Sequence, residues 1–169
     1  MVQGHHFFGG ECKMKGIILQ EIKSNYFTNM KDIFDAMNNS QSDYNWLITD
    51  YECNHYPTNN ISCNQEYIWI SGKELSDIVS IHGIQFIWGV FSAFTKDVPL
   101  AEVMKHTYPF ADGNTGLWNP IIKTQHPLAD IEIVSWDSSL VLVISKCESI
   151  VTDINNFYPD AIDIEKYID

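Results

Sequence analysis

The run Ile84–Phe94 (IQFIWGVFSAF) constrains the fold most, because it is apolar on both of the faces between which a strand alternates. Such a segment reads as a central strand, with Gly89 the place for a bulge. It contains Gln85 and Ser92, and no stretch of the chain approaches the ~18 uninterrupted apolar residues of a membrane-spanning helix. A chain of 169 residues supplies one domain, able to bury roughly 70 % of its unfolded surface. With 45 % hydrophobic and 19 % charged residues it is neither a disordered chain nor a coiled coil.

Elements fall on either side of that strand. Gly16–Ile22 reads as an opening strand, and Phe27, Met30, Ile33, Phe34 and Met37 recur at helical spacing, predicting a helix from Thr28 to Asn38. Tyr44–Tyr51 and Glu66–Ile70 are strand-like, separated by an asparagine-rich loop over Glu52–Gln65. Ser71 and Glu74 have the spacing of a capping box, opening a helix that carries Leu75, Ile78 and Val79 on one face and stops at Gly83. Thr95–Leu128 is irregular apart from one helical turn near Leu100–Lys105. Asp130–Trp136 and Leu140–Ser145 form a hairpin about Asp137–Ser139, followed by a helix over Glu148–Phe157. The expected architecture is α+β: a single domain over 14–169 with a mainly antiparallel sheet and two or three helices packed on it. Residues 1–13 are expected to form a disordered extension. Their polar, glycine-rich character, with His5, His6, Gly9 and Gly10, does not match a signal peptide.

Charge narrows the partners. The net charge is −12, all ten basic residues are lysines, and there is no arginine to grip phosphate or a guanine edge with a planar fork. Nucleic acid and anionic membrane are therefore not expected as partners, and a basic protein or a cation is favoured. The four cysteines, Cys12, Cys53, Cys63 and Cys147, show no zinc-type spacing; reduced thiols in the cytoplasm are preferred to a Cys53–Cys63 disulfide.

Candidate chemistry is sparse. No phosphate-cradling glycine loop and no serine elbow occurs, and no cofactor and no catalytic residue is assigned. Within the long loop, His106, Asp112 and His126 are the residue types of a metal site for a hydrolase built on 106–130. Against this stands an ordered crossover shaped by Pro109, Pro120, Pro127, Gly113 and Gly116 and pinned by Phe110, Leu117 and Trp118. The crossover is the preferred reading. Cys147 with His126 is the best pair for a thiol enzyme, yet a plain cysteine at a strand end is preferred there too.

Strand alternation puts Ile131, Ile133 and Ser135 on one face, with Asp130, Glu132, Val134 and Trp136 on the other. Taking the first set as the core face leaves Asp130 and Glu132 outward beside Trp136. The expected docking surface is Asp112, Trp118, Asp130, Glu132 and Trp136. On that reading, replacing Asp130 and Glu132 together by lysine would slow association and leave the fold intact. The acidic end, where Asp160, Asp163 and Glu165 interleave with Ile162, Ile164 and Tyr167, reads as a solvated tail before it reads as a second docking surface.

Tyr44-Asn45-Trp46, the strand-to-helix step Trp69–Leu75, the strand ending Ala93-Phe94 and the hairpin Trp136–Val143 together give a layout over Met14–Asp169 that resembles small uncharacterised bacterial proteins. Some of these accompany polymorphic or contact-dependent toxins and are regarded as their immunity proteins. The abundance of Ile, Asn and Lys without Arg fits an AT-rich bacterial genome. The resemblance transfers no catalytic motif. It implies a small, acidic, cytoplasmic binding protein that neutralises a basic partner by occlusion.

Overall fold

Why the central strand needs two covers is plain in the computed structural model, which describes residues 13–20, 28–57 and 59–168. The elements are β1 (Lys15–Leu19), α1 (Met30–Ala36), β2 (Tyr44–Cys53), β3 (Tyr67–Ser71), α2 (Gly72–Ile81), β4 (Phe86–Thr95), α3 (Leu100–Val103), β5 (Ile131–Trp136), β6 (Leu140–Ser145), α4 (Glu148–Phe157), β7 (Ile162–Asp163) and α5 (Ile164–Ile168). The seven strands make one antiparallel sheet in the order β3-β2-β4-β5-β6-β1-β7, and the fold is α+β. No described helix is long and apolar enough to cross a membrane. Of the expected opening strand, residues 21 and 22 lie outside the described residues, as does the expected extension up to Cys12.

One face of the sheet carries Trp46, Ile48, Phe91, Ala93, Ile131, Ile133, Val141 and Val143. Helices α1, α2 and α4 close over it with Met30, Ile33, Phe34, Leu75, Val79, Ile150 and Ile154, all buried. Each helix contributes the stripe that its spacing predicts. The other face carries Ile18, Val90, Val134, Leu142 and Ile144 beneath Ala111, Leu117 and Ile164. Leu47 and Phe94 lie on that face beneath Val103 and Ala129. The crossover 96–130 and α5 thus form a third layer where the sequence reading left a solvated face. Both faces of β5 are consequently buried, from Ile131 through Ser135.

Local signals hold with two amendments. Ser71 Oγ accepts from the Glu74 amide at 3.2 Å, while the Glu74 carboxylate takes a bond from Asn60 Nδ2 at 2.7 Å. Helix α2 ends at Ile81 with His82 extended (φ −109°, ψ 115°), so the stop is His82 rather than a left-handed Gly83. Asp137 and Ser138 both take positive φ (46° and 54°), and Ser139 N donates to Trp136 O at 2.9 Å. A right-twisted hairpin favours that turn geometry.

Candidate docking surface

Opposite Gly89 the sheet is irregular. The register runs Thr49↔Val90 and then Glu52↔Trp88, so Asp50 and Tyr51 together oppose Gly89. The bulge expected at Gly89 exists, with its extra residue on β2. Asp50 is left-handed (φ 48°), a conformation open to aspartate at modest cost, and the bulge re-aims its side chain toward the crossover. There its Oδ2 accepts from the backbone N–H of Ala111 at 2.7 Å and of Asp112 at 2.9 Å. Thr49 Oγ1 adds a bond to Pro109 O at 2.7 Å, and Phe110 N and Asn114 Nδ2 both donate to Gln125 Oε1 at 3.0 Å. The bonds of Thr49 and Asp50 hold the crossover against the sheet, and those to Gln125 brace it internally.

Beside this anchor four aromatic rings touch in a row. Trp88 packs on Trp136 (centroids 5.0 Å), Trp136 on Trp118 (5.3 Å) and Trp118 on Tyr167 (5.6 Å). The three tryptophans are half-buried and Tyr167 is 40 % exposed. The two Trp–Trp contacts are edge-to-face and the Trp118–Tyr167 contact is tilted; aromatic pairs contribute about 1 kcal/mol beyond area burial and hold the rings in place. Around them stand exposed carboxylates: Glu52 directly across the ladder from Trp88, Asp137 in the turn after Trp136, and the tied pair Asp50 and Asp112.

Of the five residues expected to form a surface, the structure brings Trp118 and Trp136 together and places Asp112, exposed, at the Asp50 anchor of the same crossover. It leaves out two. Asp130 lies at the far end of β5, where it forms a half-buried ion pair with Lys146 at 3.1 Å. Glu132 is 0 % exposed, because the crossover lies on the face that strand alternation alone assigns to solvent. Its Oε2 accepts from Gln125 N at 2.8 Å. Trp88, Glu52 and Asp50 were missed: Trp88 was counted as two-sided core, and the bulge that turns Asp50 has no local signature. Tyr167, assigned to the tail, instead ends the row of rings.

The alternative metal trio is not assembled. His106 and His126 do meet, with ring centroids 5.0 Å apart. However, His126 is buried, its Nε2 lies 3.0 Å from Val103 O, and its Nδ1 accepts from Leu128 N at 3.2 Å. That pattern is a neutral imidazole with both nitrogens in use, and burial, helped by neighbouring His106, lowers its pKa. Asp112 belongs to the Asp50 anchor, and among the described residues no three His, Cys, Asp or Glu side chains converge as ligands.

Cys53, Cys63 and Cys147 are free thiols. Cys147 precedes the first turn of α4, and its Sγ lies 3.0 Å from Ser149 Oγ; that hydroxyl, aided by the Ile150 and Ser149 amides, lowers its pKa. Burial, with a contribution from Glu52, pushes the Cys53 thiol up to about 12. Limiting iodoacetamide near neutral pH should therefore modify Cys147 before Cys63, and Cys53 only after denaturation. Peptide mass spectrometry reads the order, and early labelling of Cys53 would contradict the burial. No family model, no curated protein and no solved structure matches this chain.

Proposed function

We propose that this protein is an acidic binding protein of the immunity type, which occludes a basic protein partner with its aromatic row. One observation carries the reading: Trp88, Trp136, Trp118 and Tyr167 form a continuous, partly exposed strip bordered by Asp50, Glu52, Asp112 and Asp137. Packed aromatics are the residues that dominate interface energies, and a carboxylate rim on a chain of net charge −12 speeds encounter with a basic surface.

The test is capture from the native host at low and moderate salt, comparing wild type with Asp112→Lys/Asp137→Lys and with Trp118→Ala. A basic partner should be recovered by the wild type. The charge variant should associate at least about tenfold more slowly at low salt, with the gap closing as salt rises. Trp118→Ala should leave the association rate alone and speed dissociation about 30-fold, equivalent to about 2 kcal/mol. Recovery of no specific partner at either salt, or a partner indifferent to both variants, would overturn the proposal.

A further inference from the structure

Beneath the crossover lies a polar group that the docking surface does not use. Glu132 sits on the crossover face of β5, directly across the ladder from Ser92 on one side and Ile144 on the other. Its Oε2 takes the Gln125 amide, whereas its Oε1 and the facing Ser92 Oγ are buried without a hydrogen-bond partner. We propose that the Glu132 carboxyl is a proton latch: protonated, it lets the 109–130 part of the crossover seat on the sheet; ionised, it loosens that seat. Asp112 and Trp118 ride on this segment. The consequence for partner binding rests on the docking reading above, while the latch itself does not.

The physical argument is desolvation that neutral amides only partly offset. An ionised carboxylate placed in an apolar interior needs a cation or several donors to hold it. From β4 the facing residue is the neutral Ser92, and from β6 it is Ile144. Two residues along, the Lys146 ammonium is engaged by Asp130 at 3.1 Å. From the crossover come Gln125 and His126, whose imidazole is turned to Val103 and Leu128, with His106 packed behind it and Lys123 exposed. Burial accordingly pushes the Glu132 carboxyl up to about 7, against a pull downward from amides alone, those of Gln125 and His126. Lifting the crossover returns the group to water, where an ordinary glutamate titrates at 4.5. The seated state thus holds a proton that the lifted state releases. Opening is hardest at acid pH and becomes easier as pH rises from about 4.5 to about 7, with no further change above.

Amide hydrogen exchange over 109–130, measured on the isolated protein from about pH 4.5 to about pH 8.5, tests this directly. After correction for intrinsic exchange, protection should fall with rising pH by up to about 300-fold and then level off. In Glu132→Gln this fall should be absent, and protection should exceed wild type at about pH 8. A pH-independent wild type overturns the latch. So does a fall that survives in Glu132→Gln, which would place the titrating group elsewhere. Should that variant fail to fold, a carboxyl-carbon titration of the wild type decides: a midpoint near 7 supports the latch, and one near 4.5 overturns it. No partner enters the measurement, so its outcome is separate from that of the capture experiment.

Discussion

Replacing Glu132 with lysine is expected to unfold the protein, where a surface reading of β5 expects no loss. The side chain is fully enclosed between sheet and crossover, and no carboxylate faces it to receive an ammonium. An unpaired buried charge costs about 4 kcal/mol or more, a large share of the 5–15 kcal/mol that holds a typical domain together. Asp130→Lys alone removes only the half-buried pair with Lys146 and should cost about 1 kcal/mol. Urea denaturation of the two single variants separates them. A wild-type midpoint for Glu132→Lys would show that the carboxyl is not interior. The neutral replacement reverses the sign above pH 7. The raised pKa means that Glu132 contributes stability fully below about 4.5 and loses it as pH climbs through about 7, a difference of about 3 kcal/mol. Glu132→Gln should escape that loss and be the more stable protein at about pH 8.

Gly72→Ala is expected to cost about 3 kcal/mol or more, although alanine is the better helix former by about 1 kcal/mol. A β-carbon at position 72 would lie 1.9 Å from Gln41 O, 2.8 Å from Gln41 C and 3.0 Å from Trp46 Nε1. The carbonyl it strikes is the one that accepts the Trp46 indole N–H at 3.0 Å, so the first turn of α2 and the tight turn at Ser40–Asp43 cannot both keep their places. Gly83→Ala is the control, since a β-carbon there meets nothing within 4 Å. Thermal unfolding should show a large drop in midpoint for the first and almost none for the second. Equal, small effects would mean that α2 and the turn do not approach as described.

These two sites mark where sequence reasoning stopped. Helices α1, α2 and α4 and the β5–β6 hairpin were legible because each writes its buried face into a short period: Met30, Ile33 and Phe34; Leu75, Ile78 and Val79; Ile150, Val151 and Ile154. The same alternation put Ile131 and Ile133 on one face and Glu132 and Trp136 on the other, which the structure has. What it could not convey was that both faces are covered. A carboxylate at the outward phase of a strand is ordinarily solvated, and only the path of the crossover buries this one. For the candidate surface, Trp118 and Trp136 were legible as large aromatics near acidic residues. Trp88 and Tyr167 join them through pairings remote in sequence, and Asp50 reaches Ala111 and Asp112 through a left-handed bulge residue that no local pattern announces.

By itself, then, the sequence determined the α+β class, the antiparallel hairpin, the three long helices and the acidic, arginine-free character. Those are local or compositional properties: periodicity follows from backbone geometry, and net charge from counting. Tertiary structure alone decided that the crossover is a third layer, that Glu132 is interior while Asp112 is not, and which tryptophans share a surface. Each of these depends on where a long irregular segment lies down. That placement is settled by contacts between residues far apart in the chain, such as Thr49 with Pro109, Asp50 with Ala111 and Trp118 with Tyr167. A pattern confined to neighbours along the chain carries no record of them.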